Sequence, residues 1–257
     1  MRTTLSGQVY CLKSKAMDLI RLVWNSDPMS KSALGPVGPS AKQQLVLTAE
    51  RLFAQHGLDG VALRQIGTEA GMANKSAVQY HFGSKDGLIH AILLNRLEHL
   101  TRRRRLLEAR MPSDDLRAVV EAHQLPLIEL GEDETCFYLP FLEQLLRYDS
   151  SVSPLAALPD THQESHQTYV DRVGALIDHV PQPLRDLRID QVSAICVHAC
   201  ADRHRARLFN MPVPSYAVHV SSLLDGFVAL LEAKPSEETL VALKGASAKR
   251  PSLRALP

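Results

Sequence analysis

The chain has 257 residues, 45% of them apolar, enough for one large or two modest domains around a true core. A net charge of +1 gives no reason by itself to expect a polyanionic partner. No apolar run reaches the roughly 18 residues of a membrane span, and Cys11, Cys136, Cys196 and Cys200 form neither a metal knuckle nor a disulfide framework.

The average charge hides a gradient. Residues 41–110 hold eleven Lys/Arg against six Asp/Glu, whereas residues 111–235 hold nine against eighteen. A basic unit followed by an acidic one suggests two parts with different partners, the first suited to nucleic acid.

Residues 1–40 read as a flexible extension. An amphipathic stretch with the lone tryptophan, Trp24, is followed by the linker-like MSKSALGPVGPSAK, whose Met29 is an alternative start. Lysines interrupt its apolar stretch and no small-residue cleavage site follows, which makes it a poor signal peptide. A cytoplasmic protein is expected, with reduced, buried cysteines. Cys196 and Cys200 lie one helical turn apart, where both can face a core.

From Ala41 the pattern is helical. In AKQQLVLTAERLFAQHG, Leu45, Ala49, Leu52 and Phe53 recur at helical spacing, and Gly57 ends the segment. LRQIGTEAG gives a short second helix ending at Gly71. Asn74 can cap a third, running to Phe82, and Ser84 a fourth, with Asp86 in its first turn. The fourth helix is long, with Ile89, Leu93, Leu97 and Leu100 on one stripe, and reaches about Arg110. Further helices are predicted over about 113–131, 135–148, 159–180, 187–210 and 214–233, with kinks at Pro126 and Pro140. No period-two strand pattern appears. Residues 236–257, polar with two prolines, read as a tail.

The helices over 63–70 and 74–82, joined at Gly71, form a helix-turn-helix candidate whose second helix would enter the major groove. Its exposed early residues should be small or hydrogen-bonding, and Lys75, Ser76 and Gln79 qualify. Gln suits a bidentate contact with adenine, and Lys suits the guanine acceptors. Tyr80, His81 and Lys85 follow where a phosphate backbone would pass, beside the free amides at the head of the fourth helix. Arg64 reaches a base or a phosphate. Phe82, Val78, Ile66 and Ala70 read as core. The run Arg102–Arg105 points all round its helix and reads as a solvated, ion-paired face.

The segment from Ala41 to Leu94, with LRQIGTEAG, the turn and YHFGSKDGL heading a long helix, resembles the DNA-binding domain of the TetR family of transcriptional regulators. Ala62 stands where that pattern usually has a capping Ser or Thr. The stretch from Gly71 to Phe82 is one residue longer than the common spacing, and Gln79 stands where a tyrosine is frequent. The resemblance implies a homodimer whose N-terminal domains hold operator DNA and whose larger C-terminal domain binds a small-molecule effector. It also implies dimerisation through the last two long helices, where Val192, Ile195, Ala199, Val218, Leu223 and Phe227 supply small and branched knobs.

The acidic half should not touch DNA. Its interleaved aromatic and apolar groups suggest a ligand pocket, with Phe137, Phe141, Leu145, Tyr169, Val173 and Cys196 as candidate lining. His162 with His166, and His198 with His204, raise the question of a metal, but no third ligand is evident and none is expected. Neither a catalytic residue nor a cofactor is expected, because no G-x-x-x-x-G-K-[ST], G-x-S-x-G or H-E-x-x-H occurs.

The expected architecture is therefore all-α. An extension (1–40) precedes a three-helix helix-turn-helix domain (41–88), which a long helix joins to a helical effector-binding and dimerisation domain (89–235), with a tail over 236–257. The expected function is a homodimeric repressor released from its operator by an effector. An activator or a partner-controlled regulator on the same fold is the alternative, and a helical enzyme is the less supported one.

Overall fold

The computed structural model describes residues 40–74, 76–112, 114–147 and 164–245. Residues 1–39, Lys75, His162 and the end of the tail lie outside them. Among the described residues the regular structure is all helical: α1 Ala41–His56, α2 Leu63–Glu69, α3 Ala77–Phe82, α4 Lys85–Glu108, α5 Leu116–Gly131, α6 Tyr138–Arg147, α7 Glu164–Leu176, α8 Gln182–Leu208, α9 Tyr216–Glu232 and α10 Glu237–Lys244.

Three of the boundaries that differ from the sequence reading have a visible cause. α3 begins at Ala77 because Asn74 closes a turn of its own. Its side-chain oxygen accepts from the Ser76 amide at 2.9 Å, and its carbonyl accepts from the Ala77 amide at 3.1 Å. α8 begins five residues earlier than expected, since Pro183 falls in its first turn, where a missing N–H costs nothing. The supposed tail holds α10, whose cap Ser236 accepts from the Thr239 amide at 3.2 Å, with Glu237 and Glu238 favourable to the helix dipole.

α5 is the central helix. Val119, Val120, Ala122, His123 and Gln124 are all buried, on more than one face of the helix, because α4, α6, α7, α8 and α9 pack around it. Gly131 lets α5 approach α8 closely, since a Cβ there would lie 3.3 Å from the Cys200 Cβ. Cys136, Cys196 and Cys200 are free and buried, and burial pushes the Cys136 thiol up to about 11. The carbonyl that ends α5, at Glu132, accepts from Arg207 at 2.7 Å, and the Glu132 carboxylate clamps Arg203 at 2.6 Å. Arg188 and His179 meet the Leu231 and Glu232 carbonyls that end α9, each at 3.0 Å.

One apolar core runs from Leu45 on α1 to Leu231 on α9. It carries the N-terminal helices on the acidic body. Phe53 of α1 stacks on Phe141 of α6 with ring centroids 6.3 Å apart. Beside them, Glu50 of α1 is 1% exposed and accepts from both Arg96 Nη2 of α4 (2.9 Å) and the Phe137 amide (3.1 Å). Three elements therefore meet on one buried carboxylate. No single helix among the described residues is long and apolar enough to cross a membrane, although α9 and α10 pass together as a pair bent by 58°.

Candidate nucleic-acid interface

α2 starts without a side-chain cap, as Ala62 requires, and holds its place through buried Ile66 and Gly67. Its end is a Schellman closure. Gly71, at φ 71°, donates its amide to Thr68 O at 3.1 Å, while the Met72 amide reaches Gly67 O at 2.9 Å. A β-carbon at Gly71 would strain the left-handed backbone that turns the chain toward α3.

The later start of α3 leaves Met72, Ala73, Asn74 and Ser76 outside both helices. Ser76 becomes the cap residue of α3, with its exposed hydroxyl at the leading tip. Ala77 and Val78 are buried against the core, so the opposite face carries Gln79, Tyr80 and His81 outward, and Tyr80 is 82% exposed. His81 stays in solvent; its ring sits edge-on to Tyr80 at 5.1 Å. Gln79 donates its side-chain amide to the Gly83 carbonyl just beyond α3. Reading a base edge would require it to release that bond.

Gly83, also left-handed at φ 72°, redirects the chain into α4. Ser84 then accepts from the Gly87 amide at 3.0 Å, as its place in GSKDGL implies. Lys85 is half-buried with its ammonium 5.8 Å from the Phe53 ring centroid, and Lys42 of α1 lies over the Phe82 ring at the same distance. Lys42 is exposed and escaped the sequence reading, because α1 scores only as a core-forming helix. Arg64 is exposed on α2. Arg51 bridges to Glu69 at 2.9 Å and ties α1 to α2, holding the Glu69 carboxyl below its usual range. From Ala70 to Lys85 the sequence has no Asp or Glu. The exposed face of α3 is thus polar, and no carboxylate of this stretch would repel phosphate.

The other candidates are placed differently. Phe141, Leu145, Val173 and Cys196 are core residues, and Phe137 packs edge-on to His204 at 5.1 Å. Of the six pocket candidates, Tyr169 alone borders the cavity of about 70 Å³ between Glu108, Met111, Ala118, Val119, Ala122 and Arg172. His198 pairs with Glu143 at 2.6 Å, whereas His204 is buried; no metal-binding group of three occurs among the described residues. Arg104 corrects the reading of the arginine run. It is 2% exposed and points inward, while Arg103 holds Glu129 bidentately at 2.8 and 2.6 Å.

No curated protein matches the chain. A family match covers residues 45–92, from the first turns of α1 into α4, and it is to the bacterial regulatory proteins of the tetR family. The matched segment contains α2, the Schellman turn, α3 and the capped head of α4, which are the parts that build the exposed polar face. Residues 45–92 are therefore the helix-turn-helix DNA-binding domain of a tetR-family transcriptional regulator.

Proposed function

We propose that the protein is a homodimeric repressor that leaves a pseudo-palindromic operator when a small molecule binds its acidic body. The observation that carries this reading is the α3 face: Ser76, Gln79, Tyr80 and His81 project from a helix anchored by Ala77 and Val78, with no carboxylate between Ala70 and Lys85. The early residues of such a helix lie where base edges are read, and cations beside it meet phosphate. Lys75 belongs to the same proposal from its sequence position, and Arg64 and Lys85 are its phosphate partners.

A second copy is supported by the outer faces of α8 and α9. Ile195, Leu208, Phe209, Tyr216 and Val218 are exposed there, and Ser221, Ser222, Gly226 and Ala229 give α9 a smooth surface for close helix packing. Val192 and Phe227 turn into the protomer's own core instead. Two reading heads on such a dimer would meet successive major grooves about 34–36 Å apart. The Glu50 junction supplies a route for release, because any shift of α6 pulls directly on α1.

Competition binding by the full chain, over a salt series, tests the division of labour on α3. Gln79→Ala is expected to relax base preference at one position of each half-site, losing about 1–3 kcal/mol of discrimination. Lys85→Ala should weaken all sequences alike and lower the salt slope by about 1. Wild-type affinity and slope in both variants would refute these contacts.

A further inference from the structure

The body has a buried polar cluster that the DNA contacts do not use. Arg104 of α4 lies in the core, where Leu93, Leu97 and Leu100 precede it on the same stripe. Its Nε donates to the His123 carbonyl of α5 at 3.1 Å. One turn before it, the Thr101 hydroxyl is buried, and the Tyr138 hydroxyl of α6 lies within electrostatic range of the guanidinium. Among the described residues neither hydroxyl has a hydrogen-bond partner. Tyr169 of α7 also lies within electrostatic range of Arg104. Its ring stacks on His123 with centroids 3.2 Å apart, and the residue borders the cavity of about 70 Å³.

Burying a hydroxyl without a partner is unfavourable by more than most contacts repay, so such groups mark a place for something that accepts hydrogen bonds. A guanidinium keeps its charge even here, although burial pulls the Arg104 value well below its ordinary one. A cation with the Tyr138 hydroxyl in electrostatic range, and the Thr101 hydroxyl one turn away on its own helix, matches an acceptor that is planar and negative. Glu108 and Arg172, both exposed, line the cavity together, so its own charge is balanced. Glu108 also lies within electrostatic range of Arg104 but stays at the solvent edge.

We infer that the effector is a small organic acid, whose carboxylate is held by Arg104, Thr101 and Tyr138 after entry past Tyr169. The inference rests on the reading of the body as an effector domain and names the chemical class that domain takes. The apolar remainder of the acid lies along Val119, Ala122 and the Tyr169 ring. Seating it moves Tyr169 away from His123, and with them the contacts between α7, α5 and α4.

The experiment uses the full chain and two matched probe series, acetate to octanoate plus benzoate and the corresponding primary amides, at constant ionic strength. Thermal shift should be saturable with at least one acid and absent with its amide. Thr101→Val and Tyr138→Phe, which remove one donor each at nearly constant shape, should each weaken that acid about tenfold. Amides acting as strongly as acids, no saturable acid, or both variants binding like wild type would overturn the inference. Operator release by an amide but no acid would leave the effector reading standing and remove the acid class. An acid that binds through Thr101 and Tyr138 without affecting operator affinity would do the reverse.

Discussion

Arg96→Ala is expected to destabilise the protein by about 3–5 kcal/mol, the usual cost of removing one partner from a buried ion pair. Both oxygens of Glu50 accept from Arg96, at 3.2 and 2.9 Å, and little solvent reaches that carboxylate. Without the guanidinium, the Phe137 amide is the remaining donor the structure gives it. The loss should also depend on pH, with a definite sign. Burial raises the Glu50 carboxyl above its ordinary value, even though Arg96 and the Phe137 amide pull it down. A raised acid favours the fold below its unfolded value, and that contribution is lost as pH rises through the folded value. Removing Arg96 raises the folded value further, so the deficit of the variant should grow from pH 5 to pH 8. Urea unfolding of both proteins at the two pH values measures this. An equal deficit at both would mean that Glu50 is not the group left stranded.

The second large effect is expected at Gly87. A β-carbon built there would collide with the Phe82 carbonyl oxygen, which is backbone and cannot step aside, and would touch Ser84 Oγ at 3.5 Å. Relief requires α3 and α4 to move apart, which displaces the reading helix and breaks the Ser84 cap. Gly87→Ala should therefore cost about 1–3 kcal/mol, as overpacking does. Because a misplacement of about 1 Å disrupts several contacts together, operator affinity should fall at least about tenfold. Gly226→Ala is the control for stability of the protomer. Nothing lies within 4 Å of its added carbon, and helix propensity makes the change neutral or favourable. Operator affinity in Gly87→Ala equal to that of wild type would show that the α3–α4 corner tolerates the shift.

Much of this was legible in the sequence, for identifiable reasons. Leu45, Ala49, Leu52 and Phe53 predicted α1 because a helix must bury one stripe, and all four are buried. Ser84 caps α4 as read, since GSKDGL leaves its hydroxyl only one set of amides to meet. Asn74 misled because the same side chain closes a short turn as readily as it caps a helix, and only packing of Ala77 and Val78 decides where α3 begins. Arg104 was misread by its neighbours. Four consecutive arginines suggest a solvated face, yet spacings of four, three and four residues from Leu93 place Arg104 on the stripe that faces α5. The pocket candidates failed to converge because aromatic residues in an acidic half mark burial, and burial alone does not separate a cavity wall from a packed core. Phe141 went to α1, and Tyr169 to the cavity. The Glu50 junction joins residues 46 and 87 positions apart, a distance no local pattern spans.

The central claim is that α3 reads a duplex as one half of a symmetric pair. Its most direct test is selection of random double-stranded DNA by the full-length protein, followed by sequencing of the retained duplexes, with Gln79→Ala processed in parallel. The wild type is expected to enrich one motif with two-fold symmetry and half-sites about one helical turn apart. The variant should lose preference at one position in each half-site while keeping the spacing. Retention without sequence enrichment, or an unpaired motif unchanged by Gln79→Ala, would contradict the account.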